Sequence, residues 1–136
     1  MSPKSKNRLV VQPQKLRLNE PEKPIVFSFK YLHPNSFTKS RNANRKFFSS
    51  FLLRLQKLSE LGWKQILTDK RHGFGREKIP LSEIKPRLNY SPSPEQTFLL
   101  SQRATGDNHV FLGVRQDNIF YILFIEAEFG DIYDHN

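Results

Sequence analysis

The residues of this chain able to do chemistry are cationic, aromatic and imidazole groups. The densest stretch is Asp69-Lys70-Arg71-His72-Gly73-Phe74-Gly75-Arg76-Glu77-Lys78. Two glycines around one aromatic let a backbone pass close to a ligand, and an imidazole there titrates near neutral pH. Arg71, Arg76 and Lys78 are available to contact phosphate; the plain reading is a solvated turn whose Phe74 plugs the core. A second group lies in the C-terminal third. Alternation puts Val110, Leu112 and Val114 on one side of a strand and His109, Phe111, Gly113 and Arg115 on the other. Arg103 ends the preceding strand on the face of Leu99 and Ser101. A sheet face exposing arginine, histidine and an aromatic, opposite a helix-covered face, suits RNA: guanidinium binds phosphate and the ring stacks on a base. Its plain counterpart is strand-end arginines in solvent and a histidine satisfied locally.

The chemistry such groups can perform is attack of a ribose 2′-hydroxyl on the adjacent phosphate, for which a base, an acid and fixed cations suffice. Arg103 and Arg115 are the expected charge stabilisers, and His72 the acid or base. Tyr133 or His135 would stack on a base or donate a proton. Holding the polyanion falls to Lys4, Lys6, Arg8, Lys15 and Arg17, to Lys39, Arg41, Arg45 and Lys46, and to Arg71, Arg76, Lys78 and Phe111. The P-loop, the dinucleotide-binding glycine fingerprint, the nucleophile elbow and the His-Glu-x-x-His motif are all missing from the sequence. His33, His72, His109 and His135 are scattered, without clustered carboxylates, so neither metal nor cofactor is expected.

Charge and composition narrow the partners. The chain has 136 residues, no cysteine and a net charge of +9. A disulfide scaffold, a thiol nucleophile and thiolate-ligated zinc are excluded. Residues 1 to 50 hold eleven Lys or Arg against two acids, whereas residues 51 to 136 hold eleven against eleven. That segregated field attracts polyanions, RNA or ribosomal surface first; the bland alternative is a solubilising tail over the acidic C-terminus. No apolar stretch approaches the roughly 20 residues of a membrane span, and the basic N-terminus lacks a following apolar core. A cytoplasmic protein without a membrane partner is expected.

Positioning these groups falls to one α+β domain over residues 25–136, preceded by a basic, proline-rich arm over residues 1–24. Ile25, Phe27, Phe29 and Tyr31 alternate as a half-buried strand. Phe47, Phe51, Leu55, Leu58 and Leu61 recur at three and four, predicting a long helix over 44–61 that Gly62 stops. Trp63 to Leu67 reads as a short second helix, His72 to Gly75 as a loop, and Ser82-Glu83-Ile84 as a turn. Strands then follow over Thr97–Arg103, His109–Arg115 and Ile119–Glu126, with Ile132-Tyr133 as a short fourth. The expected architecture is one strand, a long and a short helix, then a three- to four-stranded antiparallel meander with helices on one face.

The order strand, helix, helix, meander over residues 25 to 134 resembles the bacterial RelE/ParE toxin superfamily. In residues the likeness is best from Arg103 to Tyr133, through Leu112-Gly113-Val114-Arg115, a polar hairpin, Phe120-Tyr121-Ile122-Leu123-Phe124-Ile125 and Ile132-Tyr133. The resemblance implies a single domain that cleaves messenger RNA, typically on the ribosome, and is inhibited by a small acidic or amphipathic antitoxin chain. It departs from the pattern before the final tyrosine, where Glu128-Phe129-Gly130-Asp131 stands in place of a basic or histidine-bearing turn. The reading set against it is a non-catalytic module of the same fold, binding nucleic acid or protein in a defence or mobile element. A third is a homodimer joined through Leu9 to Leu18.

Overall fold

A computed structural model describes residues 23–34, 45–62, 77–105, 109–126 and 130–135. The stripe Phe47, Phe51, Leu55 and Leu58 forms the buried side of α1 (Arg45–Ser59), with Lys57 in the last turn, where a cation complements the helix dipole. The strands are β1 (Val26–Ser28), β2 (Glu77–Pro80), β3 (Phe98–Arg103), β4 (Val110–Gln116) and β5 (Ile119–Ile125), with one 3-10 turn at Leu81–Glu83. They form a single sheet in the order β1-β5-β4-β3-β2. β1 runs parallel to β5, and the other pairs are antiparallel.

This corrects the expected architecture of one strand, two helices and a three- to four-stranded meander. The sheet is five-stranded and mixed, with one α-helix among the described residues. The additional strand, β2, has only Ile79 buried, between charged Glu77 and Lys78 and terminal Pro80. That is the composition of an edge strand, and it leaves almost no periodic signal in the sequence. β1 keeps three residues of the seven-residue run, because beyond Ser28 the chain turns, with the Leu32 N–H donating to the Phe29 carbonyl. A parallel partner demands a long crossover, and the chain from β1 to β5 contains every other element. Ile132 and Tyr133 do not extend the sheet; they lie against its side opposite α1. The helix expected at Trp63–Leu67 and the loop at His72–Gly75 fall outside the described residues.

Both faces of the sheet are covered. On one, the α1 stripe packs on Phe111, Phe120, Ile122 and Ile125, with Phe51 edge-on to Phe111 at 5.3 Å. On the other, Leu99, Leu112, Val114, Leu123 and Phe124 pack beneath Leu81, Ile84, Leu88, Tyr90, Ile132 and Tyr133. The β4–β5 register shifts between Leu112 and Gly113. A Cβ at Gly113 would collide with the Tyr121 carbonyl and the Phe120 ring, so only glycine fits this close crossing. Asp117 takes the left-handed conformation in the β4–β5 hairpin, at φ 55°. No helix among the described residues is long and apolar enough to cross a membrane.

Candidate functional site

β5 ends against Glu126, a carboxylate with 0 % exposure. Burying such a group is costly unless donors surround it. Three do. The Val110 N–H donates to Oε1 at 3.3 Å, the Gly130 N–H to Oε2 at 3.0 Å, and His135 Nε2 lies 2.5 Å from Oε2. The Glu126 N–H in turn donates to the Val110 carbonyl, so this residue closes the β4–β5 ladder through both its backbone and its side chain.

The imidazole held this way stacks on the Tyr133 ring, with centroids 4.3 Å apart and an interplanar angle of 29°. Its side chain is 18 % exposed, which places it at the rim of the cluster. The Tyr133 hydroxyl is 3.5 Å from Ser101 Oγ. Burial pushes the Tyr133 pKa up; the Ser101 contact opposes this, and the Glu77 and Glu126 carboxylates add to it. Glu77 is exposed and sits directly across the β2–β3 ladder from Ser101. Lys85 fastens the last segment: its ammonium donates to the Gly130 carbonyl at 2.8 Å and pairs with Asp134 Oδ1 at 2.7 Å. That bond holds the Asp134 carboxyl below its usual range. The Lys85 N–H also donates to the Ile132 carbonyl at 2.8 Å.

One side of the sheet thus brings together a carboxylate-held imidazole, a phenol, a serine hydroxyl and an exposed carboxylate. Glu126 fixes the orientation of the His135 ring through Nε2. Among the described residues, no group of three or more His, Cys, Asp or Glu is placed to hold a metal ion.

Of the sequence-derived candidates, Tyr133 and His135 come together. Arg103 is exposed at the end of β3, two positions beyond Ser101, and pairs with Val110. Its guanidinium also reaches the field of α1, where burial first and Arg103 second lower the Arg54 pKa. Arg115 stands elsewhere. It pairs with Phe120 on the α1 side, about 17 Å along β4 from Val110. Its Nε donates to the Asp117 carbonyl at 3.1 Å, which braces the hairpin. The two arginines therefore do not share a pocket. Phe111 is fully buried against Phe27, Phe51 and Phe120 and offers no ring face to a base. The side expected to be open is the one α1 covers, because the larger aromatics go under the helix. Lys78 is exposed on β2, its ammonium 4.8 Å from the Phe98 ring centroid, and Arg45 and Lys46 are exposed on the first turn of α1. His72, Arg71, Arg76, Lys4, Lys6, Arg8, Lys15, Arg17, Lys39 and Arg41 lie outside the described residues.

The residues missed are Glu77, Ser101 and Glu126. Glu126 carried a signal, since an acid closing a fully apolar central strand must be buried with partners. Glu77 and Ser101 carried none without the β2–β3 register. Compared with family models, curated proteins and solved structures, the chain gives no significant match.

Proposed function

We propose that this protein is an endoribonuclease of the RelE/ParE toxin type, cutting single-stranded messenger RNA by proton transfer at the Glu126–His135–Tyr133 cluster. The observation that carries the reading is the buried Glu126 carboxylate orienting an imidazole at the rim of a basic protein. In the reaction, the ribose 2′-oxygen bonds to phosphorus while its proton passes to the Glu77 carboxylate. The bond from phosphorus to the 5′-oxygen breaks, and that oxygen takes a proton from His135. Arg103 balances the charge that builds on the phosphorane oxygens. The excess of cations in residues 1–50 supports RNA or the ribosome as the surface on which the chain acts. Within the same reading, a small acidic antitoxin is the inhibitor.

A second reading, a non-catalytic binding module, is favoured by the coverage of both sheet faces and by the separation of Arg103 from Arg115. Deleting residues 1–24 separates the two. A nuclease keeps its cleavage chemistry at reduced affinity, whereas a charge-driven adaptor loses nearly all binding together with its salt dependence.

A further inference from the structure

Beyond the acid–base cluster, the same side of the sheet carries a groove of about 450 Å³ lined by Arg87, Leu88, Asn89, Tyr90, Ser91 and Pro92. That volume is within the range of small-ligand sites. We propose that this groove is a second nucleotide subsite, taking one base and its phosphate from the single strand that crosses the cluster. The proposal rests on the reading of the chain as an RNA-cleaving enzyme and assigns the contact that positions its substrate.

Each wall has chemistry suited to that ligand. Arg87 is exposed, and among the described residues no carboxylate is placed to pair with it. A guanidinium in that state is a ready phosphate ligand. Pro92 supplies exposed apolar surface over a floor formed by the buried Tyr90, and the exposed Asn89 and Ser91 can read the edge of a base. The groove is braced rather than loose. The Asn89 side-chain amide donates to the Leu32 carbonyl at 3.2 Å, and Tyr90 packs 5.6 Å from Tyr31, which packs 5.6 Å from Tyr121. The Lys30 ammonium, 5.3 Å from the Tyr31 ring centroid, adds a second cation beside the groove. Gln96 bonds the Tyr90 hydroxyl, and among the described residues its side-chain oxygen is buried with no hydrogen-bond partner, so an acceptor is already desolvated next to the tyrosine. Tyr121 and Glu126 are about 17 Å apart along β5, a separation that a few nucleotides of extended strand can bridge.

The test measures binding and cleavage separately on the full chain. Binding uses a 2′-O-methyl oligoribonucleotide of about ten residues, which cannot undergo 2′-hydroxyl attack. Cleavage uses the unmodified oligonucleotide and a dinucleotide. Arg87→Ala is expected to weaken oligonucleotide binding about tenfold and to raise KM for the oligonucleotide far more than for the dinucleotide. Lys57→Ala, which removes an exposed cation from α1, is the control and should fall far short of that loss. Unchanged affinity in Arg87→Ala, or an equal loss in Lys57→Ala, overturns the subsite. Arg87-dependent binding by a wild-type chain that cuts neither RNA would leave the groove a nucleotide site and remove the nuclease reading instead.

Discussion

At the residue scale, Glu126 does two jobs. It satisfies two backbone donors, at the start of β4 and at Gly130, and it seats His135. Glu126→Ala should therefore cost several kcal/mol, roughly 1–3 for each buried donor left unpaired. Glu126→Gln, which keeps an acceptor, should cost much less. Thermal melts of the two variants check this, and equal melting temperatures would mean the carboxylate is structurally idle. A second residue-scale expectation concerns Tyr90, whose pKa burial pushes up to about 12 against the opposing bond from Gln96. The unfolded chain releases that proton near the ordinary value of about 10. The contribution is thus whole below pH 10 and is lost as pH rises toward 12, about 3 kcal/mol in all. Denaturant unfolding across that window should show a shallower loss in Tyr90→Phe than in wild type.

At the element scale, the helix was legible in the sequence from its stripe, β4 from its alternation and β5 from its almost unbroken apolar run. Phe47, Phe51, Leu55 and Leu58 are buried as their spacing demands, and Ile119–Ile125 is a central strand between β1 and β4. What stayed hidden depends on contacts distant in sequence. The short edge strand β2 owes its existence to pairing with Phe98–Ser101, and the parallel seat of β1 to Ile119–Tyr121. Alternation on β4 is readable, yet it cannot say which side receives the helix, and that choice decides whether Phe111 is a surface ring or a buried one. Two substitutions test the packing. Gly113→Ala should destabilise by about 3 kcal/mol or more, since backbone rather than a flexible tip blocks the new methyl. Leu58→Ala, at a position with 0 % exposure, should cost about 2–5 kcal/mol. Leu53→Ala, 60 % exposed on the same helix, should stay within about 0.5 kcal/mol. Comparable losses at Leu53 and Leu58 would contradict the orientation of α1.

At the scale of the whole molecule, the Glu126–His135–Tyr133 cluster belongs to a chain whose positive charge is concentrated in residues 1–50. Tyr133 and His135 were recognisable from residue type and place near the chain's end, but the residues that orient them were not. Glu77 and Ser101 meet Tyr133 only through sheet register and the path of the last segment over the sheet. The most direct measurement is cleavage of a single-stranded oligoribonucleotide by wild type and His135→Ala, with folding of both checked by circular dichroism. The account predicts products ending in a 2′,3′-cyclic phosphate, and a rate lowered about 10²–10⁴-fold in the variant at unchanged helix and sheet content. A folded His135→Ala protein that cuts at the wild-type rate, or a wild type that leaves the RNA intact, would contradict it.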